Sequence, residues 1–147
     1  MVKLSINLIA TTLIFVSFFT SCMQEVTVKT KTELITQSNW KFDNATATGF
    51  GDISNYPQLA CFKDNTFTFA ANGTLTVDEG ANVCSPTTAG SYTWVFQSNE
   101  TMLQLSAPIF PGGSTTFTIV SLTETNLVVS QDVNLPPTTT VTITFKH

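Results

Sequence analysis

The chain has 147 residues, with six Lys, no Arg and ten Asp or Glu, for a formal charge of -4. Charged residues make up 11%, well below the ~25% of an ordinary soluble domain, while Thr alone supplies 27 residues. The length fits one domain; an acidic, Arg-free chain lacks the clustered cations that grip nucleic-acid phosphates; and with His147 the only histidine, a His-based triad or His metal cluster is excluded.

Residues 1–21 read as a targeting signal. Met1-Val2-Lys3 gives a short basic start, and Leu4 to Phe19 is then mostly apolar and uncharged. The run is shorter than the ~20 apolar residues a membrane span needs and fits the apolar region of a secretory signal. It ends in Phe19-Thr20-Ser21-Cys22, which resembles the lipobox of bacterial lipoproteins. That resemblance implies cleavage before Cys22 and acylation of Cys22, with two or more acyl chains needed for stable anchoring. The expectation is a protein held at the cell envelope, at the outer membrane on its periplasmic or surface face, with the membrane itself as partner through the Cys22 lipid. An ordinary signal peptide with a chance cysteine, and an uncleaved N-terminal helix, are the competing readings. Residues 22–31 are polar and read as a tether, leaving 32–147 as the folded domain.

Beyond the tether the pattern is period two almost throughout, the signature of half-buried strands. Glu33 to Gln37 predicts one helical turn. Asn39 to Thr46 predicts a first strand with Trp40 and Phe42 on one face and Lys41 on the other. Asp52 to Gln58 reads as a loop. Thr66 to Ala70 alternates, with Phe67 and Phe69 on one face, and Asn72-Gly73 is a hairpin signal that predicts positive φ at both turn positions. Thr74 to Asp78 follows. Gly90 to Gln97 is the clearest strand, with Tyr92, Trp94 and Phe96 along one face. Met102 to Leu105, Thr115 to Leu122 (Phe117 and Ile119 on one face) and Leu127 to Gln131 are next. After the Asn134-Leu135-Pro136-Pro137 loop, Thr139 to Lys146 closes the chain with Val141, Ile143 and Phe145 alternating with polar residues. These are eight strands joined mostly by short turns. The fold class is all-β, and the meander most simply closes into an eight-stranded up-and-down antiparallel barrel, which removes exposed edges; a sandwich is the competitor.

Setting Cys22 aside for lipid leaves Cys61 and Cys84, which bracket the predicted Phe67–Val77 hairpin. Spacing and an oxidising compartment favour a structural disulfide, worth roughly 3 kcal/mol for a loop of that size. A redox or metal pair has no C-x-x-C spacing to support it; two separate buried thiols is the third reading. No metal or cofactor is expected. Asp64, Asp78 and Glu79 offer too few fixed oxygens for calcium, Gly112-Gly113 has no helix behind it to bind phosphate, and Ser114 has no neighbouring base, so no catalytic residue is assigned.

Several stretches together resemble a known family. Leu34 to Phe42, Cys61 to Phe69, Asn72-Gly73-Thr74-Leu75, Gly90-Ser91-Tyr92-Thr93-Trp94 and Phe117 to Leu122 look like the lipocalin-like domains of bacterial lipoproteins, particularly those of Bacteroidetes. The resemblance covers roughly residues 33–146 and implies a barrel that binds a small apolar or amphipathic molecule. Typical lipocalins begin with Gly-x-Trp and set an Arg from a late strand over that Trp. Here the triplet is Ser38-Asn39-Trp40, and Lys146 is the late-strand candidate for the cation–π place. Tyr92, Trp94, Phe96, Phe67, Phe69 and Phe117 would line the ligand cavity, with Tyr92 offering a hydroxyl. An eight-stranded barrel is wide enough either to hold one small ligand or to fill itself. In the second case the protein is a structural or interaction protein of the envelope, and loops 47–60 and 107–113 would meet a protein partner.

Overall fold

The computed structural model describes residues 28–110, 112–133 and 139–147. The signal segment 1–21, Cys22, most of the expected tether and the loop 134–138 lie outside them. The chain runs α1 (Lys31–Thr36), β1 (Trp40–Ala47), β2 (Gly51–Asp52), α2 (Pro57–Ala60), a 3₁₀ turn (Cys61–Asp64), then β3 (Thr66–Phe69), β4 (Thr74–Asp78), β5 (Gly90–Gln97), β6 (Met102–Leu105), β7 (Thr116–Leu122), β8 (Asn126–Val133) and β9 (Thr139–Lys146). Neighbouring strands pair antiparallel from β3 to β9, and β1 pairs with both β3 and β9. That closes an eight-stranded antiparallel barrel. The two-residue β2 is a ninth strand unforeseen from the sequence; it pairs only with the far end of β1, through Thr46 with Asp52 and Ala47 with Gly51.

Alternation places one apolar row per strand inside. Phe67 and Phe69, Leu75 and Val77, Leu103 and Leu105, Leu127 and Val129, Ile143 and Phe145 are all buried. Each such side chain contributes about 1.5–3 kcal/mol by leaving water. Two irregularities keep faces in phase where strict alternation would fail. Between Phe42 and Asn44 the β1–β9 register shifts, so Asp43 and Asn44 both stay exposed and Ala45 returns to the interior. A second shift lies between Ile119 and Ser121. Such bulges bend the strand and sharpen its twist.

The β3–β4 turn departs from expectation. Only Gly73 has positive φ, at 84°. Gly73 N–H donates to Ala70 O (3.0 Å) and Ala70 N–H to Thr74 O (2.8 Å), the pattern of a three-residue loop with glycine in the left-handed position. Asn72 serves by its side chain instead, accepting from Thr74 N–H at 3.0 Å.

One end of the barrel is closed. α1 begins two residues before the sequence pattern suggests, because Thr30 and Glu33 form a capping box: Glu33 N–H donates to Thr30 Oγ1 (3.2 Å) and Thr30 N–H to Glu33 Oε2 (2.7 Å). The last residues assigned to the tether are therefore docked. Lys29 pairs with Glu124 at 3.0 Å, and Lys31 Nζ donates to Glu100 O at 2.5 Å. Ile35 on the helix and Trp40 at the start of β1 are fully buried, and Trp40 Nε1 donates to Ile35 O at 2.8 Å. At the other end gather the connections 48–65, 79–89 and 106–115. Cys61 and Cys84 are joined in a disulfide, Cα atoms 5.2 Å apart, tying the first of these to the second.

Candidate functional site: a cavity at the open end

The structure distributes the six sequence-derived cavity residues through a packed interior. Phe67, Phe69 and Phe117, with Ile109, Phe110, Leu127, Val129 and Phe145, surround a void of only about 20 Å³, room for about one water molecule and no ligand. Phe67 meets Phe145 edge-on at 5.1 Å, and Phe69 meets Trp94 at 5.5 Å. Trp94 Nε1 donates to Ala70 O at 3.0 Å, and the residue borders an outer groove with Gly73 and Val95. Phe96 is half-buried and packs edge-on against Trp94 at 5.3 Å. Tyr92 does not hold its hydroxyl for a ligand: it donates to Thr88 O at 2.8 Å and so pins the β4–β5 loop.

The spacious cavity lies above that packing. It measures about 420 Å³ and is walled by Ile53, Leu59, Phe110, Val133, Val141 and Ile143, with Tyr56, Gln58, Gly112 and Gln131 contributing the rest. Ligand sites fall in a range of ~300–1,000 Å³, mostly apolar with a few placed polar groups, and this one has that make-up. Phe110 is its floor. The ring is buried, borders both the cavity and the small void, and packs on Phe62 (4.7 Å) below the 48–65 segment and on Phe117 (6.1 Å).

The wall formed by 53–59 exists because β1 lacks a β3 partner over most of its length. Only Trp40 and Lys41 pair with β3. Beyond them the chain returns along β1: Ile53 N–H donates to Ala45 O (2.9 Å), and Ala45 N–H donates to the Ser54 hydroxyl (2.9 Å). Ser54 in turn donates to Asp52 from its hydroxyl (2.5 Å) and its amide (2.8 Å). Those two donors hold the Asp52 carboxyl below the usual carboxylate range. Pro57 opens α2, where its missing N–H costs nothing, and α2 drops Leu59 into the cavity wall.

Gln131 is the buried polar group of the site, 6% exposed. It sits inward on β8 in phase with Leu127 and Val129. Its Oε1 accepts from Ser114 N–H at 2.8 Å. The sequence signal was a polar residue on an otherwise dry face, and nothing but that parity marks it. Asp64 and Glu79, weighed above as cation ligands, are engaged in loops. Asp64 accepts from the amides of Ala81 (2.7 Å) and Asn82 (3.0 Å), and Glu79 from the hydroxyls of Thr87 and Thr88 (both 2.7 Å). Among the described residues no group of three His, Cys, Asp or Glu could hold a metal ion.

Comparison with known families decides the class. The family model for the lipocalin-like domain matches residues 16–129. The chain belongs to the lipocalin-like domain family. Members are typically non-catalytic binding proteins. The match ends inside β8, so Gln131, Val133 and the β9 wall of the cavity lie beyond it. No curated protein matches the chain.

Proposed function

We propose that this protein is a lipid-anchored lipocalin-like binding protein of the cell envelope, and that it holds a small apolar or amphipathic molecule in the cavity at its open end. The observation that carries the ligand reading is the cavity of about 420 Å³, apolar-walled and floored by Phe110. The anchor rests on Phe19-Thr20-Ser21-Cys22 after an apolar run. The loops that could serve a protein partner, 47–60 and 107–113, supply Ile53, Tyr56, Leu59 and Phe110 to the cavity, which favours a ligand over a docking role for them.

The test uses the full-length chain expressed in a bacterial host and purified as processed there, with the apolar dye 1-anilinonaphthalene-8-sulfonate as probe. Saturable one-to-one fluorescence enhancement is expected. Val133→Trp, which fills the mouth from a half-buried position, should weaken it at least tenfold with thermal stability retained. Dye binding that is absent, or indifferent to Val133→Trp, would sink the ligand reading. The mass of the processed N-terminal peptide tests the anchor: acyl chains on Cys22 are expected, and an unmodified cysteine overturns it.

A further inference from the structure

Gln131 has more capacity than its surroundings use. Ser114 N–H can only donate, so the atom 2.8 Å from it is the amide oxygen, and the orientation of the side chain is thereby fixed. The NH₂ group is left on the other side with no partner among the described residues, although the residue is 94% removed from solvent and lines the cavity. Gln131 Nε2 is not among the fully buried unpartnered atoms, so it keeps some accessible surface in a cavity-lining residue, and a ligand acceptor there would give it a hydrogen bond.

The neighbouring loop is shaped around that amide. A Cβ on Gly113 would lie 2.6 Å from Gln131 Nε2 and 3.0 Å from Oε1, closer than real contacts allow. Glycine at 113 thus leaves the space the amide occupies, while Ser114 sets its direction. The other polar groups of the cavity, Tyr56 and Gln58, are on exposed residues at the mouth, and no Lys lines it.

We infer that Gln131, seated by Gly113 and Ser114, is an acceptor-recognition subsite, and that the ligand is an apolar molecule carrying a neutral carbonyl oxygen. This rests on the cavity reading above and adds the chemistry of the ligand. A neutral carbonyl is favoured over a carboxylate because an anion here would be desolvated without a cation beside it. It is favoured over a plain hydrocarbon because only an acceptor satisfies the amide.

Three eight-carbon probes, 2-octanone, octanoate and octane, compete with the bound dye on the full-length chain at pH 7. 2-Octanone is expected to bind at least tenfold tighter than octane and tighter than octanoate. Gln131→Glu keeps an oxygen for Ser114 N–H but removes the donor. Gly113→Ala keeps the donor but displaces it. Each should erase the preference for ketone over octane measured on the same variant, and a retained cooperative thermal transition reports an intact fold. If all three probes displace the dye equally in the parent protein, or if the ketone preference survives both substitutions, the subsite is refuted and the cavity stands. If no probe binds and the dye does not either, the binding function itself is refuted.

Discussion

At the residue scale, the closed end shows how one side chain takes a place expected for another. Lys146 was the late-strand cation available to cover Trp40, but it points outward and pairs with Asp43 at 2.9 Å. Parity is the reason: Phe145 is inward, so Lys146 faces out and residue 147 comes back over the barrel end. His147 therefore lies on Trp40, ring centroids 3.9 Å apart and tilted 32°. Its tautomer follows from its partners. Gln37 Oε1 accepts from Lys29 (2.8 Å), so its amide nitrogen faces Glu124 O (2.7 Å) and His147 Nε2 (3.2 Å). An amide NH₂ can only donate, so Nε2 must accept. The proton then sits on Nδ1, which donates to Asn39 O at 3.0 Å. Nitrogen-15 NMR of the neutral side chain should show the Nδ1–H tautomer as the major form, against the usual preference in solution. A dominant Nε2–H signal would contradict this arrangement. His147→Ala should cost about 1 kcal/mol in urea unfolding, the scale of one aromatic pair.

At the scale of elements, the β4–β5 loop is held by carboxylates as well as by the disulfide. The Asn82 amide lowers Asp64 below its ordinary range, and the Thr88 hydroxyl does the same for Glu79. A carboxyl depressed in the fold contributes stability that is fully present above its unfolded pKa, about 4, and is lost as pH falls through the folded value. Stability should therefore be flat near neutrality and decline below about pH 4. The double variant Asp64→Asn, Glu79→Gln should be less stable at pH 7 and show a shallower acid decline in urea midpoints from pH 6 to 3. Glu33 and Asp52, lowered by Thr30 and Ser54, keep the decline from vanishing. An unchanged decline in the double variant would assign acid sensitivity elsewhere. The strands themselves were legible because alternation of residues such as Val141, Ile143 and Phe145 reports the buried face directly. Less legible were features set by single side chains: the Thr30-x-x-Glu33 box that starts α1 early, the bulge after Phe42, and the Pro57 start of α2. Each has a local signal that competes with a strong period-two background.

At the scale of the whole molecule, sequence alternation tells which face of a strand is inward but not how high along the barrel a residue sits. Axial position depends on register and stagger between strands. That is why inward aromatics pointed to a cavity at a height where Phe67, Phe69 and Phe117, with Phe110 and Phe145, leave almost no room, while the roomier end is walled by shorter side chains such as Val133, Val141 and Ile143. The same register makes closure uneven. β8 and β9 pair along eight positions and β1 and β9 along six, but β1 and β3 along only two. Where β3 is missing, the 51–60 return stands in, held by Ile53, Ser54 and a short helix rather than by a continuous ladder. Segments with few ladder bonds open locally at low free energy, whereas central strands open only with the whole fold. Hydrogen exchange of the full-length chain should therefore show peptides spanning 48–60 exchanging well before those of β8 and β9, with rates insensitive to low urea. Because that return forms a cavity wall through Ile53, Tyr56 and Leu59, saturating dye should slow its exchange and leave β8 and β9 unchanged. Exchange of 48–60 in step with β9 would mean that the seam is as firm as the ladders, and that a ligand reaches the cavity by some other way.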